Sequence, residues 1–379
     1  MESSPKENRM LNGHPPTYNN ILKMENSSIR TNATKSSPME TDLEIAIYGI
    51  LIVVSLLGNM LVIMVVLLNK TLRTEFNYLM VNMAVSDLTV PFLALPLEIA
   101  TVATNNKWLV EGQFGDALCK ILHFITDISS PVSVLSLVAI AINRFMAAVY
   151  PVRRKTLTIK LNKIFIVVTW IIPVLFYSPY FYTQKVDPTG ACSWSWEPAL
   201  SEADNKWATK ITFLINSILF FVCPLIAITT LYSIIVFKLN KNSITLSKML
   251  NNEQLRRRKK NNKHIFYMSI VIIAGFAILW GPFQALLFMF GVGWPRQELV
   301  QKLIMEYLWI AKILGFSSVV VNPAISFAFL KNFRRGLKNI FLWRFRKGGG
   351  IPFTRPVSSR TTRHHELTGV TRRSRETAI

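Results

Sequence analysis

The chain has 379 residues, of which 51% are hydrophobic and 17% charged, with a formal net charge of +22 and a mean hydropathy of +0.33. Soluble domains carry roughly 25% charged residues and disordered chains are poor in apolar ones, so this composition excludes both as descriptions of most of the length. Three cysteines exclude a small disulfide scaffold and a multi-cysteine metal site, and the apolar residues belong in lipid.

Residues 1–41 are polar, with two Asn-x-Ser/Thr acceptors, Asn26-Ser27-Ser28 and Asn32-Ala33-Thr34, and read as a glycosylated tail. No apolar h-region opens the sequence, so the first span is expected to act as a signal anchor. A helix needs roughly 20 mainly apolar residues to cross the hydrocarbon core. Seven runs qualify in chain order: Ile45–Asn69, Phe76–Leu97, Ile121–Asn143, Ile164–Gln184, Ile211–Phe237, Ile265–Pro295 and Leu303–Leu330. Barrel strands would be only about ten residues long, so these are helices. Proline inside several of them (Pro91, Pro96, Pro131, Pro173, Pro179, Pro224, Pro282, Pro323) predicts kinks in a packed bundle rather than breaks.

Orientation follows from Lys and Arg. Segments 70–76, 144–163, 238–264 and 331–379 hold 30 of the 43 basic residues and only four acids, Glu75, Glu253, Glu366 and Glu376, a net +26. The N-terminus is therefore expected outside and the C-terminus in the cytoplasm. Asn69-Lys70-Thr71 also matches the glycosylation pattern, but falls inside and is expected to stay unmodified. The basic run Arg256–Lys260 reads as a juxtamembrane segment facing anionic lipid rather than a nucleic-acid site.

Span one carries Gly58-Asn59, span two Asp87, and span four Trp170. Span three ends Ala141-Ile142-Asn143-Arg144-Phe145, followed by Tyr150-Pro151. Span six carries Phe276-Ala277-Ile278-Leu279-Trp280-Gly281-Pro282, and span seven Asn322-Pro323-Ala324-Ile325-Ser326. One such motif per helix, in this order and over about 290 residues, resembles the rhodopsin-like (class A) G-protein-coupled receptors. The resemblance implies an all-α membrane protein at the plasma membrane: a seven-transmembrane helix bundle over residues 42–330 that binds a ligand outside, couples to a heterotrimeric G protein inside, and is not an enzyme.

Carried over residue by residue, the resemblance implies a coupling and activation set of Asn143, Arg144, Tyr232, Phe276, Trp280, Asn322 and Pro323, with Val134, Pro224 and Phe276 as a repacking triad. A carboxylate at mid-membrane costs about 2.5–3.5 kcal/mol on insertion scales, so Asp87 needs a partner. The family's allosteric sodium site implies Asp87, Ser133, Ser318 and Asn322, with Trp280 and Asn59 beside them; the alternative is Asp87 hydrogen-bonded to Asn59 and Asn322. No other cofactor is expected. The sequence departs from the family at three places. Asn143 replaces the acid before the arginine, Asn262 and Lys263 stand where span six usually has an acid, and Ser326 replaces the closing tyrosine. The first two remove locks on the resting state and the third a latch on the active one, so modest basal signalling is expected.

On the outside, the resemblance pairs Cys119 with Cys192, whereas Cys223 reads as an inert buried thiol. Phe181–Val186 and Ala191–Trp196 flank the turn Asp187-Pro188-Thr189-Gly190, and Cys192, Trp194 and Trp196 alternate with Ser193 and Ser195. This predicts a β-hairpin in the second extracellular loop, as in peptide-binding members of the family. Candidate pocket residues are Glu98, Thr126, Asp127, Phe283, Gln284, Leu287, Glu306, Trp309 and Lys312. Three acids against one lysine suit a ligand with a basic end, unless Glu98 or Glu306 pairs with Lys312. Amine receptors carry their aspartate where Thr126 stands, about 100° around the helix from Asp127. Opsins carry the retinal lysine where Phe316 stands. The nearest resemblance is to neuropeptide receptors, and the expected ligand is a short peptide. Alternatives are a class A receptor for a biogenic amine or other small molecule and, from another class, a membrane transporter, although no internal repeat marks one.

Beyond span seven, Phe333, Leu337, Ile340 and Phe341 recur at helical spacing among basic residues. They predict an amphipathic eighth helix over 331–345, lying on the membrane surface. Residues 346–379 read as a disordered cytoplasmic tail with serines and threonines for a receptor kinase and then arrestin. The last four residues, Glu376-Thr377-Ala378-Ile379, have the Thr377–Ile379 spacing of a PDZ ligand.

Overall fold

The computed structural model describes residues 38–149, 154–246, 252–292, 298–331 and 333–338. Residues 1–37 and 339–379, with Asn26, Asn32 and the tail motifs, lie outside them. Seven helices are long and apolar enough to cross a membrane: span one Thr41–Leu68, span two Phe76–Ala103, span three Gly112–Met146, span four Lys160–Thr183, span five Ala203–Leu239, span six Phe266–Gly291 and span seven Tyr307–Phe329. Each expected span is present. The corrections are at the ends, where polar turns continue the helices beyond the apolar runs. Span two runs on past Leu97, and span three begins at Gly112, well before Ile121. Span five's helix starts at Glu202, where Ser201 caps it by accepting a hydrogen bond from the Asp204 amide. Span six stops at Gly291 rather than Pro295.

Neighbours in the bundle follow chain order, one against two, two against three, three against four and five, five against six, and six against seven, which closes back on one. Span three therefore runs through the middle. Two prolines are accommodated by single π-turns, Val90–Ala94 ahead of Pro96 and Ile218–Val222 ahead of Pro224. A proline lacks an N–H and its ring crowds the carbonyl four residues back; one wider turn relieves both problems without breaking the helix. Spans one and seven approach closely at Gly58, where an added Cβ would lie 2.9 Å from Pro323 Cγ.

The loop after span four is the expected hairpin, but shorter. Strands β1 (Gln184–Val186) and β2 (Cys192–Trp194) pair antiparallel, with Val186 opposite Cys192. Tyr180–Thr183 stays helical instead of extending the first strand. The turn is as read: the Gly190 amide donates to the Asp187 carbonyl (2.9 Å), Asp187 Oδ1 accepts from the Thr189 and Ala191 amides, and Gly190 takes φ +80°. A left-handed φ of that size is what glycine supplies at least cost.

After span seven, residues 331 and 333–338 are helical and Phe333 is buried, while Lys331, Arg334, Arg335 and Lys338 are exposed. These turns fall where the eighth helix was expected, and the rest of 331–345 is outside the described residues. Cys223 corrects its expectation. Its thiol is exposed on the outer face of span five, because the π-turn just before it shifts which side chains face the bundle.

Candidate functional site

At the outer end, the disulfide Cys119–Cys192 ties β2 to the start of span three. Cys192 fixes the face of β2 that looks onto the bundle, and the two-residue period puts Trp194 on the same face. Trp194 stacks on Phe213 of span five at 6.1 Å and meets Trp196 edge-on at 5.8 Å. The indole N–H groups of Trp194 and Trp196 are buried without an acceptor among the described residues. His123, which the sequence did not single out for this site, lies beside the disulfide, its Nδ1 2.9 Å from the Cys119 carbonyl and 3.4 Å from Cys192 Sγ. No sequence spacing links residues 123 and 192.

The expected pocket residues divide. Glu98 and Lys312 form an ion pair, Nζ to Oε2 3.2 Å, so the paired alternative holds for Glu98. Asp127 Oδ2 accepts a 2.8 Å hydrogen bond from the Tyr180 phenol, beside a cluster of Ile128, Tyr177 and Phe220. Its carboxylate is thus engaged by span four. Thr126 turns inward on its own helix and donates to the His123 carbonyl. Phe283 meets Trp280 edge-on at 6.4 Å. Gln284 is buried, with Oε1 lacking a donor among the described residues. Leu287 is half-buried and Trp309 exposed. The side chain of Glu306 lies outside the described residues.

At the centre, Asn322 Nδ2 donates to Asp87 Oδ2 (2.9 Å) and to Ser133 Oγ (3.2 Å). Asn59 does not join Asp87, as the alternative had it; its amide donates to the Val319 and Ser55 carbonyls, pinning span one to span seven. Just below, a cavity of about 60 Å³ runs from Trp280, Ser133 and Ser318 down to Arg144 and Leu330. Its walls are mainly apolar.

Arg144 closes the lower end of that cavity. Phe76 lies under its guanidinium at 4.3 Å and Met268 Sδ is 4.0 Å from Nη2, while Nε has no acceptor among the described residues. The neighbouring Asn143, which stands in place of the acid, turns away and donates to Asn162 Oδ1 of span four at 2.9 Å. Tyr232 is buried in span five with its hydroxyl unpartnered among the described residues. Phe276 packs against Phe221 at 5.4 Å, and Val134 and Pro224 are buried with it. Ser326 donates back to the Asn322 carbonyl, so it ends in its own helix. Asn162, Phe76 and Met268 were not foreseen, because only packing between spans brings them to span three.

Residues 58–325 match the model of the 7 transmembrane receptor (rhodopsin family), and the chain belongs to that family. It is accordingly a receptor of the G-protein-coupled type, neither an enzyme nor a transporter. Among curated relatives it is 26% identical over 344 residues to the QRFP-like peptide receptor of Branchiostoma floridae, covering 88% of this chain and 87% of that one. It is 27% identical over 335 residues to the substance-P receptor of Rattus norvegicus (85% and 78%), and 27% identical over 331 residues to the neuromedin-U receptor 2 of the same species (84% and 81%).

Proposed function

We propose that this receptor sits in the plasma membrane with its N-terminus outside, is switched by an extracellular neuropeptide, and promotes nucleotide exchange on a heterotrimeric G protein engaged at Arg144. The observation that carries the reading is the disulfide-anchored hairpin along the outer rim. It carries two buried indole donors, Trp194 and Trp196, and span six carries an unmet amide acceptor on Gln284; a peptide backbone supplies both acceptors and donors. The relatives, receptors for peptides by name, support the same class. The amine reading lacks its usual anchor, because Thr126 stands where that aspartate would be, and the neighbouring Asp127 carboxylate accepts from the Tyr180 phenol.

Agonist works by binding the open state more tightly than the closed one. Opening frees Arg144 from the apolar wall of Met268 and Phe76 and brings it toward Tyr232, whose hydroxyl is a ready partner. Asp87, Ser133, Ser318 and Asn322 would hold a sodium ion in the resting state. Their oxygens suit a hard cation, and the amide that Asn322 aims between Asp87 and Ser133 marks where positive charge is favoured. The N-terminal tail carries glycans at Asn26 and Asn32, and the C-terminal tail takes a receptor kinase, arrestin and, through Thr377–Ile379, a PDZ domain.

The test is GDP release from purified G protein by the receptor in lipid discs, with QRFP-type, substance-P and neuromedin-U peptides and a panel of other amidated peptides as stimuli. Acceleration by a peptide, abolished by Arg144→Ala, is the expected result. Acceleration by amines alone would replace the peptide reading, and none by any stimulus, with intact folding, would overturn the coupling.

A further inference from the structure

Buried polar atoms that meet no partner among the described residues differ between the two ends of the bundle. At the outer end they include donors, on Trp194 and Trp196, and an acceptor, on Gln284. At the inner end Arg144 Nε, Asn162 Nδ2 and the Tyr232 hydroxyl can all donate, and none can only accept. Tyr232 and Asn162 are just 2% and 4% exposed. No acid among the described residues answers these donors. Asn143 stands where the acid would and gives its amide to Asn162 Oδ1, while Asp87 is engaged by Asn322 at mid-membrane. The cavity that Arg144 closes has no acidic residue in its lining. Met268 Sδ lies 4.0 Å from the guanidinium, and Met268 packs in one cluster with Tyr232, which places two of the three donors in one neighbourhood.

From this arrangement we infer that the inner end of the bundle binds a small monovalent anion, of the size and charge of chloride, as the counter-ion of Arg144. A charge withdrawn from water is costly unless it is paired, and Phe76 and Met268 offer the guanidinium polarisable surface rather than an opposite charge. The adjoining cavity of about 60 Å³ has room for a few water-sized particles, which admits a monatomic ion and excludes a phosphate ester. The segments on this side carry a net +26, and such a field raises the local concentration of anions. The anion belongs to the closed state, because opening hands the guanidinium to the G protein. Chloride therefore disfavours opening and lowers basal signalling. That consequence rests on the proposed coupling at Arg144, whereas the binding itself does not.

The experiment follows the thermal midpoint of the full chain in detergent as chloride replaces gluconate, a carboxylate too large for the cavity, at fixed ionic strength. Chloride is expected to raise the midpoint saturably. Arg144→Gln is expected to weaken chloride roughly tenfold or more, the loss of one hydrogen bond to a charged group. Asn143→Asp, which brings its own carboxylate, is expected to abolish the response, and it decides alone should Arg144→Gln not fold. Glu75→Gln, and Arg256→Gln with Arg257→Gln, are expected to keep it. Ligand-free GDP release, corrected for the G protein alone, is expected to fall with chloride in the wild type and not in Asn143→Asp. The inference is overturned by equal midpoints in chloride and gluconate, by a full response in Arg144→Gln or Asn143→Asp, by a response that appears only in Glu75→Gln, or by one lost only in the Arg256 and Arg257 variant. A midpoint shift with unchanged GDP release overturns the placement in the closed state. If chloride shifts the midpoint of a receptor that releases no GDP under any stimulus, the coupling fails and the anion site stands.

Discussion

Asn143 of span three donates its side-chain amide to Asn162 of span four, in the interior and directly beside Arg144. The position that could have held a counter-charge for the arginine instead ties two spans together, and the arginine rests on sulfur and an aromatic ring. The buried Asn162 Nδ2 has no acceptor among the described residues. A carboxylate at 143 can take that donor if the Asn162 amide turns over. Asn143→Asp is therefore expected to fold, to offer Arg144 an anion and to lower basal signalling. Asn143→Ala leaves Asn162 unpaired and is expected to cost about 1–3 kcal/mol. Thermal unfolding and ligand-free GDP release check both.

Tyr180 is the donor to Asp127, and a hydrogen bond to a charged group is worth about 1.5–3 kcal/mol. Tyr180→Phe is expected to lower thermal stability by that order. In the double variant with Asp127→Asn the penalty is expected to shrink, because a neutral amide needs the phenol less. A mutant cycle of melting temperatures measures the coupling, and strict additivity would contradict it.

The Glu98–Lys312 pair joins spans two and seven, both side chains part-exposed. Exposed pairs contribute at most about 1 kcal/mol, so Glu98→Gln is expected to shift unfolding little. Its expected effect is on agonist potency. Exchange of the two residues, Glu98→Lys with Lys312→Glu, is expected to recover potency if the pair positions the helices. If the Glu98 carboxylate is itself needed by a basic ligand, the exchange fails to recover it.

Gly58 has no room for a side chain against Pro323. Overpacking costs typically about 1–3 kcal/mol, and here it would also strain the neighbouring bond from Asn59 to the Val319 carbonyl. Gly58→Val is expected to reduce surface expression and melting temperature, with Gly58→Ala milder.

The disulfide closes a separation of 73 residues, worth roughly 4 kcal/mol in the chain-entropy model. Cys192→Ser is expected to lose peptide response before it loses the bundle, since the hairpin is what the bond anchors. Circular dichroism with a signalling assay separates the two losses.

Much of this molecule is legible in one dimension. Apolar run length reads out seven helices because an unpaired backbone amide is intolerable in lipid, and the turn chemistry of Asp187-Pro188-Thr189-Gly190 is local enough to place a hairpin. Ends were less legible, as at span three, because a helix continues through polar residues when neighbouring elements satisfy them. The exposure of Cys223 was illegible for a related reason: a π-turn upstream rotates the face, and run length carries no phase.

Lipid compatibility and the order of the motifs along the chain determined the family, since both depend on residues a few positions apart. Which polar groups actually meet was decided only by tertiary packing. Glu98 finds Lys312, Asp127 finds Tyr180, Asn59 finds a carbonyl rather than Asp87, and Asn143 finds Asn162. In a medium without water a buried polar side chain takes whichever partner the neighbouring helix brings within about 3 Å. That choice is set by helix rotation and depth, which no spacing along a single helix contains.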